Sequence, residues 1–236
     1  VMESRQLFDP ESSTYSYLVW DTASREAVLI DPVYEQLERD TRLIRELDLK
    51  LKYALETHVH TDHITSANKL RKRFHAIVMV HENSHTKCAD VLIKGGDFVP
   101  LGASKIGVLF TPGHTDSDVC YVIPGAVFTG DTLLIGDCGR TDFQSGNAGT
   151  LYDSITQQLF SLPNETVVYP GHDFNGRSFS TIADERLHNP RAGNGTTRDE
   201  FISVMNNLEL EPPPRIHEAL PSNLRCGTQT LDAVLS

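Results

Sequence analysis

Four apolar segments of the chain each lead, within a few residues, to a histidine or an aspartate. Short apolar runs of this kind are typical of buried β-strands. Loops beyond the ends of strands project side chains from a rigid platform, so such residues can converge on one site. The pattern therefore predicts buried strands that carry a metal site at one edge. The four segments with their polar residues are Leu51–Leu55 with His58, Ile106–Phe110 with His114, Ala126–Phe128 with Asp131, and Val167–Tyr169 with His172.

The first of these loops reads T-H-V-H-T-D-H and holds four candidate donors within six residues. Protonated imidazoles so close together would repel one another, whereas a divalent cation holds them neutral. Imidazole and carboxylate donors suit zinc, iron or manganese better than copper(I) or a metal–sulfur cluster. The predicted metal site consists of His58, His60, Asp62, His63, His114, Asp131 and His172.

Spacing alone leaves the number of metal ions open. The seven donors suffice for two metals bridged by Asp131. Such a pair would hold a hydroxide and hydrolyse a thioester. In that arrangement the first ion takes His58, His60 and His114, and the second takes Asp62, His63 and His172.

Strands and helices alternate through most of the chain, which favours an α+β fold with two layers of sheet flanked by helices. Pro124-Gly125 is predicted to turn a β-hairpin. Apolar periodicity predicts a helix over about Asp62–Phe74, and the proline-rich tail is expected to be irregular through Cys226. The length of 236 residues is normal for one domain, so a single domain over residues 1–236 is predicted.

The net charge of −11 argues against a nucleic acid partner, because phosphate binding relies on Lys and Arg. No apolar run approaches the roughly 20 residues of a membrane helix, so no membrane partner is expected. The cysteines are widely spaced without a C-x-x-C pair, which favours reduced thiols in the cytoplasm or the mitochondrial matrix. Cys138 follows Asp131 closely but is predicted to be structural. The four cysteines are Cys88, Cys120, Cys138 and Cys226.

The motif H-x-H-x-D-H, followed later by a histidine, an aspartate and a histidine, resembles the metallo-β-lactamase superfamily. This resemblance implies an αβ/βα four-layer sandwich with the metal site at one edge between the sheets. Further stretches are similar to the persulfide dioxygenases, also called sulfur dioxygenases, and the likeness runs from about Arg5 to Gln229. These stretches include Glu26–Pro32, Cys138–Gln144, Asn189–Arg191 and Asn223–Gly227.

The persulfide dioxygenase resemblance implies an enzyme with one mononuclear, non-haem Fe(II) per chain. Its substrates would be glutathione persulfide and O₂, and its products sulfite and glutathione. Two histidines and one carboxylate leave open positions on the iron for substrate, and the groups around them orient the ligands. The implied iron ligands are His58, His114 and Asp131, and the implied surrounding groups are His60, Asp62, His63 and His172.

Arg140 is the predicted contact for glutathione, because its guanidinium matches a carboxylate and it lies shortly after Asp131. An ion pair of Arg140 with Asp142 or Asp137, which would fix the loop, is the competing interpretation. A homodimer is the expectation at the level of the family.

The alternative function is thioester hydrolysis by a hydroxyacylglutathione hydrolase of the glyoxalase II type, with a dinuclear site. The sequence of glyoxalase II resembles C-G-R-F-F-E at the position where this chain has C-G-R-T-D-F, from Cys138 to Phe143. Glyoxalase II also carries a longer C-terminal helical domain. Both differences favour the dioxygenase prediction. A binding module without turnover is disfavoured because the donor set is intact.

Overall fold

Two mixed six-stranded sheets form the framework of the protein in the computed structural model, which describes residues 1–228. The family likeness was predicted to end at about Gln229, which lies outside the described residues. The end of the predicted domain over residues 1–236 also lies outside them. The α+β class is confirmed, since each sheet has helices of its own packed against it.

The first sheet contains the first six strands in sequence order. Its first three strands pair antiparallel, and the third to sixth pair parallel. Parallel pairing brings the carboxyl ends of the third and fourth strands to the same edge, where Asp31 and a histidine-rich loop begin. The strands are β1 (Met2–Asp9), β2 (Thr14–Asp21), β3 (Glu26–Ile30), β4 (Lys50–Leu55), β5 (Ile77–His81) and β6 (Val91–Ile93).

The second sheet consists of β7 (Phe98–Leu101), β8 (Ser104–Phe110), β9 (Val119–Ile123), β10 (Ala126–Gly130), β11 (Val167–Pro170) and β12 (Ser180–Thr181). Its strand order is β12-β11-β10-β9-β8-β7. β8, β9 and β10 pair antiparallel, whereas β10 and β11 pair parallel. The carboxyl ends of β8, β10 and β11 therefore lie at one edge, and each leads to a predicted donor. The predicted hairpin is confirmed, with Pro124-Gly125 between β9 and β10.

Helices cover both sheets with apolar side chains. Ile44 and Leu70 pack in the core of the first sheet, and Leu151 and Phe201 pack in the core of the second. No helix within the described residues is both long and apolar enough to cross a bilayer. The helices are α1 (Leu37–Glu46), α2 (Ala67–Phe74), α3 (Ala148–Asp153), which continues as a π-helical segment over Ser154–Leu159, α4 (Ile182–His188), α5 (Arg198–Asn206) and α6 (Ile216–Asn223).

The chain divides into two compact units that are not contiguous in sequence. One comprises residues 1–93 and 100–105 and the chain from Glu211 onward, and the other comprises residues 94–99 and 106–210. The first unit carries the first sheet with α1, α2 and α6, and the second carries most of the second sheet with α3, α4 and α5. The single domain over residues 1–236 stays a prediction.

Two predicted elements are wrong in their bounds. The helix expected from Asp62 begins only at Ala67, because the Thr65 N–H donates to the Asn223 side chain and the Ala67 N–H donates to the Thr65 hydroxyl. The tail expected to be irregular through Cys226 contains α6. Burial of that helix against the first unit outweighs the low helix propensity of its internal proline.

The prediction of four reduced thiols is also wrong, because Cys88 and Cys226 form a disulfide. They are 138 residues apart in sequence, and spacing carries no information about which distant cysteines meet in space. Cys120 and Cys138 are free and buried.

Candidate metal centre

The histidine loop, residues 57–66 of the first unit, follows β4 and carries four of the predicted donors. Of the four, the three histidines are buried, whereas the Asp62 side chain is 28% exposed. The His60 ring lies between the other two: its centroid is 4.1 Å from that of His58 and 4.3 Å from that of His63. The sequence thus packs its imidazoles into one buried cluster at the end of a parallel strand.

The orientation of His58 is fixed by a short chain of hydrogen bonds. The Thr57 hydroxyl donates to Asp31 Oδ2 at 2.7 Å, and the Thr57 N–H donates to Asp31 Oδ1 at 2.7 Å. The same hydroxyl lies 3.0 Å from His58 Nδ1. Because its own hydrogen goes to Asp31, the hydroxyl oxygen accepts from His58 Nδ1–H. His58 Nε2 then keeps its lone pair for a metal ion.

His60 lies between two buried carboxylates, Asp31 and Glu56. Its Nε2 is 3.0 Å from Asp31 Oδ1 and 3.3 Å from Glu56 Oε2. Burial alone would lower the pKa of His60, but the two carboxylates raise that pKa well above its usual value. Burial also raises the pKa of Glu56, whereas His60 and the Thr57 N–H hold the pKa of Asp31 below its usual value against the effect of burial.

Asp62 and His63 form the outer part of the loop and contact Thr14 at the start of β2. Asp62 Oδ1 is 3.1 Å from His63 Nδ1, and the Thr14 hydroxyl donates to Asp62 Oδ2 at 3.1 Å. His60, Asp62 and His63 can offer one ligand atom each within 4.8 Å of one another. His63 Nε2 is buried without a hydrogen-bond partner among the described residues, which fits a nitrogen that binds a metal ion or water.

In the second unit His114 follows β8 and is held by the loop after Asp131. Its Nδ1 lies 2.7 Å from the Arg140 carbonyl oxygen, which can only accept, so Nδ1 donates and Nε2 keeps its lone pair. His114 Nε2 is 3.4 Å from Asp131 Oδ2. Gly139 permits this approach, because a Cβ there would lie 2.7 Å from His114 Nδ1 and 2.3 Å from the Asp131 carbonyl oxygen.

His172 follows β11 and contacts the other oxygen of the Asp131 carboxylate. Its Nδ1 lies 2.7 Å from Asp131 Oδ1. The two carboxylate oxygens of Asp131 therefore face different histidines, Oδ2 toward His114 and Oδ1 toward His172. The side chains of His114 and Asp131 are 11% and 15% exposed, so this part of the candidate site is not completely buried.

The structure adds three site residues that the sequence pattern did not identify. Asp31 orients Thr57 and His60, Glu56 contacts His60, and Thr14 contacts Asp62 and His63. Asp31 carried a usable signal, since it ends the apolar strand β3 in the same manner as the predicted donors end theirs. Thr14 and Glu56 carried none, because a threonine and a glutamate at strand ends are common without any role in a site.

Arg140 makes the ion pair that was the competing interpretation of its role. Its guanidinium donates to Asp142 through two bonds, of 2.7 Å and 2.8 Å, and lies over the Phe143 ring at 4.9 Å. Cys138 packs in the core of the second unit beside Met205, and burial raises the pKa of its thiol to about 12. A neutral, buried thiol is a poor metal ligand, so the donor set consists of nitrogen and oxygen atoms.

Comparisons with known proteins identify the family of this chain. The model of the metallo-β-lactamase superfamily matches residues 9–172, a range that contains all seven predicted donors. The persulfide dioxygenases ETHE1 of Mus musculus and Homo sapiens, both named as mitochondrial, are 47% and 45% identical over 228 residues. Each match covers 96% of this chain and 89% of the relative. The crystal structure of ETHE1 from Myxococcus xanthus has a TM-score of 0.93 at 53% identity, covering 96% of this chain and 100% of that one.

These likenesses extend over nearly the whole chain and exceed what a shared fold alone would give. They confirm the predicted metallo-β-lactamase fold, in which a metal cofactor fits the clustered imidazoles and carboxylates. The chain is an enzyme that belongs to the persulfide dioxygenases of the metallo-β-lactamase superfamily.

Proposed function

We propose that this enzyme oxidises glutathione persulfide with O₂ to sulfite and glutathione, using one Fe(II) held by His58, His114 and Asp131. The reaction consumes one persulfide, one O₂ and one water, and it releases glutathione, sulfite and two protons. The two persulfide sulfurs together lose four electrons, which O₂ accepts. Support for the substrate comes from the named activity of relatives that share 45–47% of their residues with this chain.

The hydrogen bond from His172 to Asp131 is the observation that favours a single ion. His172 Nδ1–H occupies Asp131 Oδ1 at 2.7 Å, while Oδ2 lies 3.4 Å from His114 Nε2. A carboxylate that bridges two metals through both of its oxygens would have to give up this hydrogen bond. With Oδ1 bonded to His172, Asp131 would bind one iron through Oδ2, which suits a two-histidine, one-carboxylate site.

The protein's own contribution is the preparation of these donor atoms. Backbone and hydroxyl oxygens hold the Nδ1 protons of His114 and His58, so that each histidine would ligate the metal through Nε2. Fe(II) in such a site would supply adjacent coordination positions for the persulfide sulfur and O₂. His60, Asp62, His63 and His172 surround these ligands and orient them.

Arg140 stays a prediction as the contact for the glutathione carboxylate. Its pair with Asp142 compensates its charge, but the Arg140 side chain is 20% exposed. The compartment also stays a proposal, namely bacterial cytoplasm or mitochondrial matrix, as does a homodimer.

A second candidate function, thioester hydrolysis at two metal ions, is favoured by one observation. His60, Asp62 and His63 can bring three ligand atoms within 4.8 Å, and the His63 Nε2 atom lacks a hydrogen-bond partner among the described residues. A second ion there would require His172 as a ligand as well.

The experiment that separates the two functions measures metal content and turnover on the same anaerobically purified protein. We expect about one iron per chain and O₂ uptake that requires glutathione persulfide. His58→Ala and Asp131→Asn should abolish uptake, while His172→Ala should reduce it by about 10–100-fold, as is typical for groups that support metal ligands.

Two zinc ions per chain without O₂ uptake would contradict the dioxygenase proposal. Release of glutathione from lactoylglutathione without O₂, lost completely on His172→Ala, would instead establish the hydrolase.

A further inference from the structure

The segment Asn223–Gly227 at the end of α6 lies against the histidine loop, although about 160 residues separate the two in sequence. The Asn223 side-chain amide donates to the backbone carbonyl of His60 at 2.9 Å and to that of His63 at 2.8 Å. Its carbonyl oxygen accepts from the Thr65 N–H at 2.9 Å. One buried amide therefore bonds three backbone groups of the loop.

These three bonds use the hydrogen-bonding capacity of the asparagine almost completely. Both amide hydrogens and the carbonyl oxygen are engaged, and the side chain is only 5% exposed. The bonded groups belong to a loop in which no β-ladder or helix satisfies them. Without Asn223, the carbonyls of His60 and His63 would lose these partners in a buried place, and the loop would relax to find others.

The segment that carries Asn223 is itself fixed in the first unit. Cys226 is joined to Cys88 by the disulfide, and its carbonyl accepts from the Asn68 N–H at 3.1 Å. Gly227 approaches so closely that a Cβ would lie 1.9 Å from the Thr65 carbonyl oxygen, at a φ of +83°. The position of Asn223 is thus set from both sides, which gives it a fixed place from which to hold the loop.

We infer that Asn223 is a positioning residue for the metal site, acting through the backbone of the histidine loop. By fixing the carbonyls of His60 and His63, it sets the path of the chain immediately after His58 and hence the direction of the His58 imidazole. This inference rests on the proposed metal site. It needs no assumption about which substrate the metal site oxidises.

The test compares Asn223→Asp with the wild-type chain in binding of Co(II), a coloured probe of the ligand field, to metal-free protein. Aspartate keeps the size of the side chain and the acceptor for Thr65, but it loses both donors and turns a carboxylate toward two carbonyls. We expect Co(II) affinity to fall by about 10–100-fold and the visible absorption bands of Co(II) to change. Asn223→Ser, which keeps one donor, should give an intermediate affinity and serves if the aspartate variant does not fold.

Ile44→Ala is the matched control. Ile44 is 1% exposed in α1 of the same unit, so its truncation lowers the melting temperature through a cavity without touching the loop. We expect this variant to bind Co(II) with the wild-type affinity and spectrum. Unchanged Co(II) binding in both Asn223 variants, or an equal loss in Ile44→Ala, would overturn the inference. Normal Co(II) binding by the wild-type chain without O₂ uptake by the iron-loaded enzyme would count against the proposed function alone.

Discussion

Two buried aspartates of the first unit show how partners, more than burial, decide the charge of a carboxyl group. Asp31 is 2% exposed, receives hydrogen bonds from the N–H and hydroxyl of Thr57, and contacts His60. Asp40 is 1% exposed, but its Oδ1 has only Arg39 Nε at 3.0 Å, and its Oδ2 has no partner within the described part of the chain. Burial therefore dominates at Asp40 and raises its pKa to about 6.

This raised pKa predicts a pH-dependent stability. The usual pKa of 3.8 applies to the unfolded chain, so between pH 4 and pH 6 the folded state binds a proton that the unfolded state has released. Stability from this group is present below pH 4 and is lost as the pH rises through 6. Asn cannot ionise, so the unfolding free energy of Asp40→Asn minus that of wild type should rise by about 2 kcal/mol from pH 4 to pH 7.

Urea unfolding of both proteins at pH 4, 5, 6 and 7 checks this expectation. The informative quantity is the difference between the two unfolding free energies at each pH, because contributions from other groups cancel in it. A difference that stays constant across this range would show that Asp40 is not the group responsible.

At the scale of elements, the strands that lead to the candidate donors were easier to predict than the loops that hold them. Apolar segments ending in His58, His114, Asp131 and His172 correspond to β4, β8, β10 and β11. The prediction that a helix begins at Asp62 was wrong. The spacing of apolar residues is the same whether the backbone groups bond within a helix or to a distant side chain, so it does not distinguish the two cases. Asn223 makes that distant contact, and the spacing of residues along the chain does not reveal it.

The disulfide that ties the end of α6 to the first sheet should contribute to stability. It joins residues 138 positions apart, and closing so long a loop restricts the unfolded chain strongly. We expect the double variant Cys88→Ser, Cys226→Ser to lose about 2–4 kcal/mol of unfolding free energy. Chemical denaturation of both proteins, with and without a thiol reductant, measures this loss.

Reductant should destabilise the wild-type chain but leave the double variant unchanged. Equal unfolding free energies of the two proteins under oxidising conditions would show that the disulfide does not contribute to stability.

For the whole molecule, the sequence was sufficient to predict the α+β class and the family, because these depend on local periodicity and on a dense motif. It did not reveal the division into two compact units, since residues 100–105 and the chain from Glu211 onward return to the first unit. Such returns depend on packing between segments far apart in sequence. The same reason explains the missed disulfide.

The bond between Cys88 and Cys226 makes a covalent ring that contains every residue of the second unit. A single backbone cut inside this ring would leave the two pieces attached to each other. Phe174 and Phe179, which are 78% and 59% exposed, offer chymotrypsin a place to make that cut. We expect the nicked protein to migrate as one species near 26.2 kDa without reductant and as two fragments with it. Fragments that separate without reductant would show that the ring is open, so covalent integrity after cleavage reports directly on the oxidation state of the protein.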